Sequence, residues 1–243
     1  MEKAKNSQQL ILGIDDFAIR KGHTYNTGLH DLRGETFLDV ISGRTLDELL
    51  THYRVHSELA ALQPKAVVMD LAKGYHSFIK EVYPSAIRIA DRFHVNRYVT
   101  EALQLVRKHV QKNLSSFARV HLKQNHRILG KRFDQLTNQE LVTLKQLLQY
   151  SDTLREVYEW KEALIEWYDC TSHYKYAQQG FDRWLNQGKQ IEHTAVQECI
   201  KTMMNWKEEI YNYHQIRFTN ATVEGKNNKI KVLQHSTLLY SKS

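Results

Sequence analysis

In Ile11-Leu-Gly-Ile-Asp-Asp-Phe17, an apolar run of strand type leads directly into two acids. A second apolar run, Ala66-Val-Val-Met-Asp-Leu71, reaches Asp70 in the same way. A carboxylate at the end of a buried strand is costly to remove from water, so it usually has a partner, and a divalent metal ion is a strong one. The two runs predict strands whose ends bring Asp15 and Asp70 to a metal site.

A third acid, Glu224, lies in Asn220-Ala-Thr-Val-Glu-Gly-Lys-Asn-Asn228, a polar segment with the pattern of a helix start. Three carboxylates that converge from two strands and a helix could hold two magnesium ions for in-line displacement at phosphorus. Each acid alone is a weak signal. The set of three is specific.

The order of the elements indicates how the strands pair. Turn residues at Lys21-Gly22 and Arg33-Gly34 predict that the first three strands form an antiparallel meander. Thr45 and Glu48 form a capping-box pattern, so a helix follows and the next strand returns parallel to its neighbour. The predicted strands are 10–18, 24–32, 36–42, 66–71 and 87–90. This order is typical of an α/β protein with a ribonuclease-H-like mixed sheet.

Composition favours a polyanionic partner. The chain has 243 residues and a formal net charge of +7, and residues 101–133 alone hold eight Lys and Arg against Glu101. Such a basic helix could follow a phosphate backbone, although a solvated basic surface explains it equally well. Residues 134–169 are acidic, with three Lys and Arg against eight Asp and Glu. No apolar run approaches membrane-spanning length and the polar start is no signal peptide, which predicts a cytoplasmic protein with no membrane partner.

Four blocks of sequence follow one another along the chain. The first acidic motif is Gly13-Ile-Asp-Asp-Phe-Ala-Ile-Arg-Lys-Gly-His23, and the second is Val68-Met-Asp-Leu-Ala-Lys-Gly-Tyr75. The third block is Pro84-Ser-Ala-Ile-Arg-Ile-Ala-Asp-Arg-Phe-His-Val95, and the block with the final glutamate is Asn220-Ala-Thr-Val-Glu-Gly-Lys-Asn-Asn-Lys-Ile-Lys231. These four blocks, in order and with fitting gaps, resemble the ISL-three family of bacterial insertion-sequence transposases. The resemblance implies a ribonuclease-H-like DDE core with a large all-helical insertion.

The resemblance also implies the roles of individual residues. Asp15, Asp70 and Glu224 would be the catalytic, metal-binding triad for two Mg²⁺ ions, with Mn²⁺ as a possible substitute. Asp16 is the alternative first acid, although side-chain alternation would turn it away from the face that Asp15 occupies. Asp91 and His94 would brace the site, or would be a helix N-cap and a buried histidine. Contacts to substrate phosphates are expected from Lys21, Arg92, Lys226, Lys229 and Lys231.

The implied activity is metal-dependent DNA strand cleavage and strand transfer at transposon ends and target DNA. A homo-oligomer on double-stranded DNA is expected of the full-length protein, in association with the nucleoid. Two other interpretations stay open: an inactive, DNA-binding remnant that interferes with intact transposase, and a ribonuclease-H-like nuclease. A cleavage assay with magnesium separates the first of these from an active enzyme.

The expected domains are an N-terminal tail at 1–9, the first part of the ribonuclease-H-like catalytic core at 10–98, the helical insertion at 99–212, the returning catalytic helix with the glutamate at 213–235 and a divergent tail at 236–243. Full-length members of the family carry a cysteine zinc-binding segment and a helix-turn-helix region ahead of the catalytic domain. Here the first strand begins around residue 10, the first cysteine is Cys170, and the sequence beyond Val232 departs from the family. The resemblance therefore implies a catalytic core truncated at both ends.

Overall fold

The computed structural model describes residues 10–20 and 24–220. The chain divides into two compact units. The first contains the described residues up to His94 and from Glu208 onward, and the second contains Val95–Lys207.

The first unit is built on a five-stranded mixed sheet. Its strands are β1 (Ile11–Arg20), β2 (Thr24–Asp31), β3 (Thr36–Ser42), β4 (Ala66–Met69) and β5 (Ile87–Ala90). The spatial order is β3-β2-β1-β4-β5. Strands β1, β2 and β3 pair antiparallel, whereas β4 is parallel to both β1 and β5. The predicted meander, the parallel return and the ribonuclease-H-like mixed sheet are confirmed.

The centre of the sheet is apolar on both faces. All four residues of β4 are fully buried, as are Ile11, Leu12 and Ile14 of β1. Parallel strands that are covered on both faces need such continuous apolar runs. The acids therefore come only where these runs end, at the edge where β1 and β4 stop pairing.

Helices α1 (Leu46–Val55), α2 (Ser57–Ala60) and α3 (Lys73–Val82) belong to the sheet unit, and α11 (Lys207–Asn212) leads back into it. Helix α1 begins at the predicted capping box, since Thr45 Oγ1 accepts from the Glu48 N–H and Glu48 Oε2 accepts from the Thr45 N–H. The rings of Tyr53 in α1 and Phe78 in α3 meet edge to face, with centroids 4.8 Å apart. This contact joins the two helices.

The second unit is helical in all its described elements. It contains most of α4 (Arg92–Lys112), then α5 (Ser116–Gln124), α6 (His126–Gly130), α7 (Asn138–Leu148), α8 (Asp152–Cys170), α9 (Tyr174–Lys189) and α10 (Thr194–Asn205). Helix α7 begins at the second predicted capping box, Thr137 with Glu140. Across residues 10–20 and 24–220, every helix falls short of the length and apolarity that crossing a bilayer requires.

A pair of tryptophans joins α8 to α9. The indole rings of Trp160 and Trp184 are stacked with centroids 4.4 Å apart and an interplanar angle of 6°. Each indole N–H donates to the other residue's carbonyl, over 3.1 Å from Trp160 and 2.8 Å from Trp184. Both buried N–H groups are thus satisfied, so the large apolar area is buried without an unpaired donor.

Candidate metal centre

Three acids lie where the parallel pairing of three adjacent strands ends. Asp15 lies one residue past Ile14, the last β1 residue that pairs with β4. Asp70 directly follows β4, and Asp91 directly follows β5. Because parallel strands end at the same edge of a sheet, these side chains meet there. Carboxylate oxygens of Asp15, Asp16 and Asp70 lie within 4.8 Å of one another, so the expected proximity of Asp15 and Asp70 is present.

Side-chain alternation predicts that Asp16 points away from Asp15 and Asp70, and this prediction is wrong. One of its carboxylate oxygens reaches the same cluster as Asp15 and Asp70. Both Asp15 and Asp16 lie beyond the last β1–β4 pair. No β4 residue is therefore paired beside them to keep their side chains on opposite faces of the sheet. The two acids differ in burial: Asp15 is 7% exposed, whereas the Asp16 side chain is 27% exposed and accepts a hydrogen bond from Arg44 Nη1 over 2.9 Å.

Burial makes the charged form of these acids costly. Burial, and after it the negative charge of Asp70, raises the pKa of Asp15 from 3.8 to about 7. Burial also raises the pKa of Asp70, whereas the hydrogen bond with His94 lowers it. A divalent cation stabilises the charged form of such paired carboxylates, and carboxylate oxygens are the hard ligands that Mg²⁺ prefers. The donor set therefore fits a divalent metal ion.

Asp70 also belongs to a second group, with Asp91 and His94, whose ligand atoms lie within 4.8 Å of one another. The His94 Nδ1 contacts Asp70 Oδ1 and lies 3.6 Å from Asp91 Oδ2. His94 sits in the first turn of α4, and Asp91 immediately precedes that helix. The imidazole is therefore placed between the two carboxylates.

Asp91 ties the segment that precedes Glu224 to the sheet. Its Oδ1 accepts from the Thr219 hydroxyl over 2.6 Å and from the Asn220 backbone N–H over 3.1 Å. The Asn220 side-chain Nδ2 donates to the Ile14 carbonyl over 3.1 Å. Asp91 and Asn220 are each 1% exposed. We call these contacts of Thr219 and Asn220 with Asp91 and Ile14 the 219–220 clasp.

Several predicted site residues fall outside the described part of the chain. They are Glu224, Lys21, Lys226, Lys229 and Lys231. Arg92 is described and is half-buried at the start of α4. The sequence analysis gave no role to Arg44 or Asn220. Arg44 resembles any cation in a loop before a helix, whereas the position of Asn220 inside the fourth block was a usable signal.

Comparison with known proteins gives one family and one curated relative. A family model described as a transposase, of the ISL-three group of DDE transposases, matches residues 12–238. The transposase for insertion sequence element IS1001 of Bordetella parapertussis is 28% identical over 234 residues, which are 94% of this chain. The chain spans 57% of the length of that relative. No solved structure matches.

Proposed function

Because the chain belongs to the ISL-three family of DDE transposases, we propose that it cleaves DNA strands and joins them to a target in insertion-sequence transposition. The observation that carries the proposal is the meeting of Asp15, Asp16 and Asp70 at one edge of the sheet. In-line displacement at phosphorus needs little covalent chemistry from the protein, so positioned acids that hold metal are its main requirement.

Asp15, Asp70 and Glu224 are the residues that we propose to hold two Mg²⁺ ions, with Mn²⁺ as a substitute. Bound there, the ions would activate water for strand cleavage and a DNA 3′-hydroxyl for strand transfer. Asp15 is the better first ligand, since Asp16 is already neutralised by Arg44. Asp16 would then remain at the rim of the centre.

His94 and Asp91 position these acids. His94 contacts Asp70 Oδ1 and so limits the rotation of that carboxylate. Asp91 holds Thr219 and Asn220, which come a few residues before Glu224 in the sequence. Arg92, Lys21, Lys226, Lys229 and Lys231 are proposed contacts for substrate phosphates.

DNA is the proposed partner, with the full-length protein acting as a homo-oligomer at the nucleoid. We interpret residues 99–212 as an insertion in the catalytic core, and propose that its basic segment 101–133 follows the phosphate backbone. This contact carries no sequence information by itself.

Nicking of supercoiled plasmid by the purified protein, with Mg²⁺ or with EDTA, tests the proposal. We expect Mg²⁺-dependent nicking that is lost in Asp70→Asn and kept in Asp152→Asn, a change on the exposed end of α8. Comparison of Asp15→Asn with Asp16→Asn identifies the first acid, because only loss of a metal ligand should abolish nicking. Absence of nicking by the unmodified protein would favour an inactive DNA-binding remnant.

A further inference from the structure

The backbone of Arg44 is fixed on both sides in the turn between β3 and α1. Its N–H donates to Glu48 Oε2 over 2.9 Å, inside the capping box of α1. The preceding Gly43 donates to the Tyr25 carbonyl over 3.0 Å and accepts from the Thr27 hydroxyl over 2.8 Å. Gly43 has φ of +98°, a left-handed conformation that glycine adopts without strain. The position of Arg44 is therefore set by β2 and α1 together.

The side chain of Arg44 is also held in place. Its guanidinium carbon lies 3.8 Å from the centre of the Tyr25 ring, and its Nη1 donates to Asp16 Oδ2 over 2.9 Å. The side chain is nevertheless 51% exposed. An exposed arginine normally loses much conformational freedom when it binds a ligand. The Arg44 side chain has already lost most of this freedom on folding, so binding an anion costs it less conformational entropy.

The guanidinium lies at the rim of the candidate metal centre. Its partner Asp16 has a carboxylate oxygen within 4.8 Å of ligand atoms of both Asp15 and Asp70. A guanidinium presents five N–H donors in a fork that matches phosphate oxygens. The contact with Asp16 runs through Nη1, so the fork can engage an anion at the same time.

We propose that Arg44, seated on Tyr25, binds a backbone phosphate of the DNA strand that occupies the metal centre. The inference rests on the proposed function, because it assumes that DNA binds at this edge of the sheet. The competing role for Arg44 is purely structural: neutralisation of Asp16. The two roles differ in what happens when Arg44 is removed from protein that is bound to DNA.

The salt dependence of DNA binding tests the inference without any catalytic readout. Fluorescence anisotropy of a labelled DNA duplex, with Ca²⁺ in place of Mg²⁺, gives the affinity over about 50 to 200 mM KCl. We expect Arg44→Ala to weaken binding several-fold and to reduce the slope of log K against log salt by about 0.9, the value for one lost phosphate contact. Arg44→Lys should keep most of the slope, since it keeps the charge.

Arg155→Ala is the matched control, because Arg155 is 45% exposed and paired with Asp152 on the acidic helix α8. It should leave both affinity and slope unchanged. Circular dichroism and thermal melting verify that each variant is folded. If the unmodified protein binds DNA and Arg44→Ala keeps its slope, the inference is wrong while the proposed function stands. If the unmodified protein does not bind DNA, both fail.

A double mutant separates phosphate binding from neutralisation of Asp16. In the Asp16→Asn background, Arg44→Ala should still lower the slope by about 0.9 if Arg44 meets a phosphate. If Arg44 only neutralises Asp16, its removal should have no effect in that background. The latter result would overturn the inference.

Discussion

The Asp15 carboxylate makes the metal-free protein less stable at neutral and alkaline pH. Its pKa is raised in the folded protein from 3.8 to about 7. Between these values the unfolded chain is ionised while the folded chain still holds the proton, so stability falls as pH rises. Above pH 7 the penalty is complete, with an upper limit of about 4 kcal/mol at about 1.4 kcal/mol per pKa unit.

We therefore expect Asp15→Asn to melt at a higher temperature than the unmodified protein in EDTA at pH 8. The gain in melting temperature should shrink as the pH falls below 7 and disappear once the pH is well below 3.8, where both states are protonated. Added Mg²⁺ should stabilise the unmodified protein more than the variant, because the variant lacks a ligand. Thermal melting across pH measures both effects, with exposed Asp152→Asn as control. Equal melting curves at every pH would contradict the prediction.

The 219–220 clasp gives a second prediction. Asn220→Ala removes the donor to the Ile14 carbonyl, and an unsatisfied buried polar group costs about 1–3 kcal/mol. Urea unfolding in EDTA should show this loss. We also expect a smaller increase in stability on adding Mg²⁺, because the segment that leads to Glu224 is held less firmly.

Thr219→Val is the companion variant, since it removes the hydroxyl that donates to Asp91 and keeps the shape of the side chain. It should weaken Mg²⁺-dependent stabilisation in the same direction. If both variants lower stability in EDTA but leave the increment from Mg²⁺ unchanged, the clasp is only structural and does not position the metal ligands.

Individual site residues could be predicted only where a charged residue interrupts an apolar run in the sequence. Asp15 and Asp70 stand out because each acid ends an apolar run. Arg44 does not, because its role depends on Asp16, which is 28 residues away, and on the ring of Tyr25. Asn220 contacts Ile14 across 206 residues, a distance over which spacing carries no information.

At the scale of elements, local signals placed the strands and helix starts well. The strand predicted at 66–71 is observed as β4, Ala66–Met69, and both capping boxes open the expected helices. Turn residues and caps act within a few residues, so they can be read from sequence. The stacking of Trp160 on Trp184 could not be predicted, because helical periodicity shows that a face is buried but not which helix covers it.

That stacking makes a prediction about Gly188 in α9. A Cβ at this position would lie 2.7 Å from Trp160 ring atoms, and the stack leaves the ring little room to move. Alanine favours helices over glycine by about 1 kcal/mol, but overpacking costs about 1–3 kcal/mol. We expect Gly188→Ala to lower the free energy of unfolding, measured by urea denaturation.

Gly74→Ala in α3 is the control, because the nearest atom to its Cβ would be the Arg44 carbonyl oxygen at 3.7 Å, an ordinary contact. It should raise the free energy of unfolding by about 0.5–1 kcal/mol, the entropic advantage of alanine. Stabilisation by both substitutions would mean that Trp160 can shift and that the stack does not fix the packing of α8 against α9.

At the scale of the whole molecule, charge is distributed unevenly along the chain. Residues 101–133 hold eight Lys and Arg, but not all of them contribute to an external field. Lys131 pairs with Glu140, and Arg132 pairs with Asp134 and Asp169. Arg107 is buried. The exposed cations of the segment, including Lys112, Lys123 and Arg127, are the ones available to phosphates.

The combined variant Lys112→Gln, Lys123→Gln and Arg127→Gln tests whether this segment binds DNA. Each phosphate contact that is lost lowers the slope of log K against log salt by about 0.9, so loss of all three should lower it by about 2.7. The matched control changes Lys145, Lys189 and Lys201 to Gln, which removes the same charge from exposed positions of the same unit. Its slope should stay near that of the unmodified protein.

The comparison is decisive because long-range attraction depends on total charge, whereas counterion release depends on which cations meet phosphates. A large decrease in the slope for the first variant alone would place the DNA backbone along residues 101–133. Equal, small decreases in the slope for both variants would mean that DNA binding depends only on net charge. The basic segment would then be a solvated surface, and the affinity for DNA would have to come from residues around the metal centre.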